Sequence, residues 1–391
     1  MKSLYDDTIA QEFTTDLEYR VYTSRLLGGD PSLVLHGGGN TSVKSIVEGE
    51  EILYVKGSGW DLATIEAIGF APVQLEVLKK MAALTCLSDT DMVKQQKEAM
   101  LDKSAPNPSV EAILHAIIPF KYVDHTHSDA IVTISNSEKG IEYIKEVYPN
   151  YLIIPYAMPG FILAHTIYKK IKNIDWEKCE GIILHNHGIF TFDNDAKVSY
   201  EKMIDAVTLA ENFLDTKAPL IIEKYMPRME LDIQKLQILL SKEKGFDVCI
   251  KVNQSPLALH YASQRNLKQF AKRGVLVPEH IIKTKRNPMI IEDSNLSTSI
   301  ELFEEEYLEY YNEFTATETM LNPSANWAVV KNFGTLSFGK DEKEATIIED
   351  ITNHTMRAVL RADMLGGYKS ISISDCFEME YRELEQAKLK K

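Results

Sequence analysis

Two short windows, His125-Thr126-His127 and His185-Asn186-His187, hold four of the ten histidines in this 391-residue chain. Each places imidazoles at i and i+2, positions that share one face of a β-strand. The flanks read as strand: Tyr122-Val123 and Ile131-Val132-Thr133-Ile134 around the first window, Gly181-Ile182-Ile183-Leu184 before the second. Two imidazoles on one face of an apolar strand make poor core, but imidazole is the commonest metal ligand. One such pair is as readily explained by hydrogen-bonded surface histidines; two pairs on apolar strands favour a metal. A catalytic zinc site typically keeps three protein ligands and one open position. Spacing therefore selects His125 and His127, with either His185 or His187 completing the set.

The chain is too long for one small core, so two domains are expected. The composition breaks where Lys217-Ala218-Pro219 and Pro227 interrupt the pattern, which predicts domains at residues 1–222 and 223–391. Hydrophobic residues at 45% and charged residues at 26% describe a globular protein. A formal net charge of -14 disfavours nucleic acid or an anionic membrane as partner, while leaving room for a locally positive site that takes a small anion. Cys86, Cys179, Cys249 and Cys376 form no CxxC and no disulfide framework. The start, Met1-Lys2-Ser3-Leu4-Tyr5, has no apolar leader, and no apolar run is long enough to span a bilayer. The expected compartment is the cytoplasm.

Residues 8–28 read as a helix with Leu17, Val21, Leu26 and Leu27 buried. Leu33-Val34-Leu35 reads as a strand running into the glycine-rich turn His36-Gly37-Gly38-Gly39-Asn40-Thr41-Ser42. Ile46-Val47 and Ile52-Leu53-Tyr54-Val55 form a hairpin that ends in a second such loop, Lys56-Gly57-Ser58-Gly59. Clustered backbone N–H groups in loops of this kind bind phosphate or carboxylate oxygens. Neither loop is a Walker A or dinucleotide motif. A helix is expected over residues 72–87, and another opens after Pro108 with Ser109 as N-cap and Glu111 in its first turn. A first-turn Glu is favoured by the helix dipole alone. His115 shares its helix face and reads as structural. Tyr156 sits in a Pro/Gly-bounded turn after the strand Leu152-Ile153-Ile154.

The second half carries an echo of the first. Asn186-His187-Gly188-Ile189-Phe190-Thr191-Phe192-Asp193 is matched by Asn332-Phe333-Gly334-Thr335-Leu336-Ser337-Phe338-Gly339, each after an apolar run and before a helix. Phe333 replaces His187, so the second copy of this strand–turn–helix unit cannot bind metal.

The segments Gly39-Asn40-Thr41-Ser42, Lys56-Gly57-Ser58-Gly59, Pro108-Ser109-Val110-Glu111, His125-Thr126-His127, Pro155-Tyr156-Ala157 and Asn186-His187-Gly188 occur in the order of the class II aldolase/adducin family, which the chain resembles over roughly residues 10–220. It is most similar to the aldolase portion of the bifunctional rhamnulose-phosphate aldolase/dehydrogenase members. Arg273–Lys285, and Met379-Glu380-Tyr381 with Leu384–Leu389, look like their later segments. No GxGxxG follows, so an aldolase without the dehydrogenase domain is expected.

The resemblance implies an α/β/α layered catalytic domain around a mainly antiparallel sheet, plus a smaller, non-catalytic C-terminal α/β domain. It implies that His125, His127 and His187 hold a divalent metal, zinc in the first instance, with His185 a neighbour. Asn40, Ser58, Gly59 and Ser109 would bind the substrate phosphate. Glu111 would be the acid/base beside the carbonyl, and Tyr156 would support proton transfer. Val110 departs from the pattern, standing where many phosphate-sugar aldolases have a second serine. The implied reaction is reversible cleavage of a ketose 1-phosphate to dihydroxyacetone phosphate and an aldehyde through an enediolate. Epimerisation of a sugar phosphate and non-catalytic adducin-like assembly are the alternatives. The implied partners are a sugar phosphate and further copies of the chain, commonly as a tetramer.

Overall fold

The computed structural model describes residues 1–386, so the Ala387–Leu389 end of the segment noted above lies outside the described residues. The chain forms two compact units, Met1–Ser135 with Gly140–Leu214, and Asn136–Lys139 with the chain from Asp215 onward. Among the described residues no helix is long and apolar enough to cross a membrane.

The first unit is built on a seven-stranded sheet. Its strands are β1 (Asn40–Val47), β2 (Glu50–Lys56), β3 (Phe70–Gln74), β4 (Tyr122–Thr126), β5 (Tyr151–Ile154), β6 (Gly181–Leu184) and β7 (Gly188–Asp193). They lie in the order β3-β2-β1-β4-β7-β6-β5. Every neighbouring pair is antiparallel except β5–β6. The β1–β2 turn uses Glu48 and Gly49, both at positive φ, as a tight hairpin between right-twisted strands requires. One face packs Leu53, Val55, Val73, Val123, Ile182 and Phe190 against helices that carry Leu78, Ile113 and Leu163. Full burial of such side chains contributes about 1.5–3 kcal/mol each.

Four local expectations are corrected. Residues 72–74 belong to β3, and the helix begins at Leu75. Pro72 is tolerated there because β3 is the sheet edge. Leu33-Val34-Leu35 is turn and coil, so the glycine-rich loop opens β1 and follows no strand. Residues 131–134 lie in a helix, Asp129–Ser135. His127 N–H and Asp129 N–H donate to the carbonyls of Leu33 and Ser32, which takes the chain out of the sheet. Burial of Ile131, Val132 and Ile134 then outweighs their β preference. Lastly, the N-terminal helix is Asp16–Gly28, opened by a Thr15/Glu18 capping box. It buries Arg20, Thr23, Ser24 and Leu27, while Leu17, Val21 and Leu26 are half-buried.

The second unit has a four-stranded sheet of β8 (Cys249–Asn253), β9 (Met289–Ile291), β10 (Trp327–Val330) and β11 (Gly334–Gly339), in the order β8-β11-β10-β9. Its pairing repeats β4-β7-β6-β5 strand for strand: β8–β11 and β10–β11 are antiparallel, and β9–β10 is parallel. Asn253 opposes Thr335 as Thr126 opposes Ile189, and Met289 opposes Ala328 as Leu152 opposes Ile182. Asn186 and Asn332 both adopt positive φ at the turn before the last strand. The echo in the sequence is thus a repeated half-sheet.

Candidate metal centre and active site

β4 is the central strand that carries the first histidine pair. His125 opposes Asn40 of β1 on one side and Phe190 of β7 on the other, and it is completely buried. His127 follows β4, and His187 sits in the β6–β7 turn, closed by its N–H to the Leu184 carbonyl at 3.1 Å. The three residues offer ring nitrogens within 4.8 Å of one another. Nε2 of His125 and Nε2 of His127 are 3.1 Å apart. Nδ1 of His125 meets the Ile189 carbonyl at 3.0 Å. A carbonyl only accepts, so that nitrogen carries the proton and Nε2 keeps its lone pair for the centre. His185 bonds through its backbone N–H to Ile154 at 2.9 Å and lies outside the group of three.

Glu111 faces this group. Its Oε2 is 3.4 Å from His125 Nε2, and its Oε1 is 3.9 Å from His187 Nε2. The residue is 3% exposed, and Oε1 has no hydrogen-bond partner. A buried carboxylate oxygen left in this way costs free energy unless a charge compensates it. Three imidazoles with a carboxylate beside them to balance charge suit a divalent cation, zinc included. The residues present therefore fit the implied metal.

Close backbone approach makes the cluster possible. A Cβ on Gly188 would lie 2.3 Å from the Thr126 carbonyl oxygen, 3.1 Å from His125 Cε1 and 3.2 Å from His127 Cδ2. Gly39, at φ 58, would place one 2.8 Å from the His125 carbonyl oxygen.

Asn40 orients Glu111. Its Nδ2 donates to Oε2 at 2.7 Å. Its Oδ1 meets Nε2 of His115, whose Nδ1 meets the Ser42 hydroxyl at 2.8 Å. Burial, first of all, holds the His115 imidazole well below its usual pKa, and the nearby His125, Lys44 and Arg20 act in the same direction. A neutral ring has one N–H, which serves Asn40, and one acceptor, which serves Ser42. His115 is the structural residue the sequence implied, and its task is to aim Asn40.

Of the other expected site residues, Ser58 and Ser109 lie on segments tied together by backbone hydrogen bonds. Ser58 and Gly59 are exposed in the turn after β2, and Ser58 N–H donates to the Asn107 carbonyl at 2.7 Å. Ser109 N–H donates to the Lys56 carbonyl at 3.0 Å. The Ser109 hydroxyl accepts from Glu111 N–H at 3.3 Å, and Glu111 itself, not Ser109, is the N-cap of the helix Ala112–Ile117. Tyr156 is half-buried in the loop after β5.

Sequence reasoning passed over two supports. Lys56 is buried and donates to the Gly37 carbonyl at 2.8 Å, tying the two loops together. Burial pushes its ammonium down to about 8, against the opposing pull of Asp61 and Glu111. Arg20 and Asp124 form a completely buried ion pair, to which the Ser199 hydroxyl adds a hydrogen bond. Asp124 immediately precedes His125, so the pair braces β4 at the centre. The one available signal was a lone Arg among the small hydroxyl residues of one helix face.

In the second unit the matching register puts Val252, Gln254 and Phe333 where His125, His127 and His187 stand. Gln254 donates to the Phe333 carbonyl at 3.1 Å, and Phe333 packs on the core.

Residues 18–214 match the class II aldolase and adducin N-terminal domain, and residues 228–389 match the class II aldolase second domain. The N-terminal class II aldolase domain of a conserved Thermoplasma acidophilum protein is 38% identical. That match covers 55% of this chain and 99% of the other, with a TM-score of 0.51. A Bacillus subtilis (strain 168) protein described as uncharacterized oxidoreductase YuxG is 26% identical over 419 residues, with all of this chain and 60% of that protein covered. The chain thus spans less than two thirds of that relative. An L-fuculose-1-phosphate aldolase from Thermus thermophilus matches 51% of this chain and 95% of the other at 15% identity and a TM-score of 0.34, too distant to carry an argument.

A mainly antiparallel seven-stranded sheet with its histidine cluster at the end of the central strand is the frame of the first unit, and the family match over residues 18–214 gives its class. This chain belongs to the class II aldolase and adducin family.

Proposed function

We propose that this chain is a divalent-metal-dependent aldolase that reversibly cleaves a ketose 1-phosphate to dihydroxyacetone phosphate and an aldehyde. The supporting observation is the buried Glu111 set against His125 and His187, with His127 completing the group of three imidazoles. These three histidines would hold the ion. When bound, a divalent cation supplies Lewis-acid polarisation of the ketose carbonyl and adjacent hydroxyl oxygens.

Glu111 handles the proton at the carbon beside the carbonyl. Asn40 fixes Oε2, which leaves Oε1 as the end that takes and returns the proton. Tyr156 serves the hydroxyl whose proton is lost as the carbon–carbon bond breaks. The Ser58–Gly59 turn and Ser109 take the phosphate, and Lys56 adds positive charge behind them. The Asn40 side chain belongs in this reading with Glu111 rather than with the phosphate. Val110 offers no second hydroxyl, so fewer donors reach the phosphate. Catalysis is assigned to residues 1–222, and no metal role is assigned to the second unit.

The test is a panel of ketose 1-phosphates assayed with zinc, manganese and cobalt, with products identified by mass spectrometry. The reading expects a three-carbon phosphate and an aldehyde. An isomer with no three-carbon product would point to epimerisation, and no turnover of any substrate would point to an assembly role.

A further inference from the structure

The second unit buries charge that the proposed reaction does not use. Lys285 is 6% exposed and Glu380 is 2% exposed. They are joined through Tyr307: the Lys285 Nζ lies 3.6 Å from the centre of its ring, and its hydroxyl donates to Glu380 Oε1 at 2.9 Å. Tyr310 also hydrogen-bonds to the Glu380 carboxylate. Lys285 also holds a positive φ of 57°, a strained conformation for a side chain of its size. Arg273–Lys285 and Met379–Tyr381, the two stretches singled out in the second half of the sequence, meet here.

Lys285 and Glu380 line a cavity of about 470 Å³ together with Lys244, Lys283, Lys340, Asn322 and Asn326. Phe246, Leu321 and Phe338 supply apolar wall. Lys285 also lines a second cavity, of about 300 Å³, with Arg286 and Tyr310. The Lys244 Nζ donates to Asn326 Oδ1 at 2.7 Å, and the Lys285 Nζ donates to the Asn322 carbonyl at 2.6 Å. An ammonium has three N–H donors, so each lysine keeps others for a ligand. Burial depresses both amines to about 8, and the charge of Lys244 adds to the depression at Lys285. Two largely desolvated cations on one cavity wall are costly, and a bound anion relieves that cost. Among the charged residues lining this cavity there are four lysines to two carboxylates, Glu344 and Glu380, in a chain whose net charge is -14.

We propose that this cavity of the second unit binds a small organic anion, a short phosphate or carboxylate ester-sized molecule, through Lys244, Lys285 and Lys340, with its carbon body on the Phe246–Leu321–Phe338 wall. The site is separate from the histidine centre and does not depend on the reaction proposed there.

The experiment is isothermal titration of the full chain with two probes, glycerol 3-phosphate and succinate, which separate phosphate from carboxylate recognition. Lys244→Gln/Lys340→Gln removes two of the lysines and leaves Lys285 and Glu380 in place. Lys285→Met/Glu380→Gln removes both buried charges together, so neither is stranded. Circular dichroism confirms that each variant is folded. At least one probe is expected to bind, to weaken about tenfold or more in a folded variant of either kind, and to bind His187→Ala as it binds wild type. Absence of binding by both probes would overturn the proposal. So would affinity that is unchanged in the folded cavity variants, or affinity lost in His187→Ala alone.

Discussion

Nε2 of His125 and Nε2 of His127 face each other at 3.1 Å, two positions apart on one chain segment. The Ile189 carbonyl claims the Nδ1 proton of His125, so a lone pair is fixed on the inner side of the pair. In the proposed reading these nitrogens and His187 hold a divalent ion. His127→Ala is therefore expected to strip the purified chain of divalent metal, measured by inductively coupled plasma mass spectrometry. His185→Ala should leave the metal content unchanged.

Glu111→Gln keeps the shape of the site and removes the proton acceptor. The expected result is a fall in kcat of about 10²–10⁴ with metal content retained. Equal losses of metal and activity would make Glu111 a ligand instead.

Gly188→Ala tests the close approach of β7 to the ligands. The new Cβ must displace the Thr126 carbonyl or the rings of His125 and His127. Metal affinity and thermal stability should fall together, and unchanged values of both would contradict the packing described.

The buried Arg20–Asp124 pair lies one residue from the centre. Arg20→Met leaves Asp124 buried and uncompensated, at an expected cost of about 3–5 kcal/mol in urea unfolding. Adding Asp124→Asn to the same chain should recover part of the loss.

Lys44 and Lys56 give the first unit a pH dependence. Burial lowers their pKa values from 10.5 to about 7 and about 8. Between those values and 10.5 the folded chain holds the neutral amine, while the unfolded chain keeps the proton. The unfolded state then binds more protons, so stability rises with pH across that window. Below about 7 both states are charged and the full burial cost remains. Urea midpoints taken from about pH 7 to about pH 9 should climb less steeply in Lys44→Met than in wild type, and parallel slopes would contradict this.

The sequence made the histidine pairs, Glu111 and the echo at Phe333 legible, because side-chain period and motif order carry that information directly. It hid the supports. Arg20, Thr23 and Ser24 look like the solvent face of a helix, yet they are buried: Arg20 pairs with Asp124 and donates to Thr23, and Ser24 meets Thr41. Ile131–Ile134 looks like strand and is helix, since the bonds to Leu33 and Ser32 that turn the chain come from a distant loop. The bond from the Asn40 amide to Glu111 is likewise absent from any local pattern. Each miss is a long-range contact that no local pattern encodes.

The most direct test of the central claim is the release of dihydroxyacetone phosphate from a ketose 1-phosphate, followed before chelation, after chelation and after metal is restored. The account predicts activity that disappears with the metal and returns with it, and that stays absent in His127→Ala under all three conditions. Cleavage that continues unchanged in the chelated protein would contradict it.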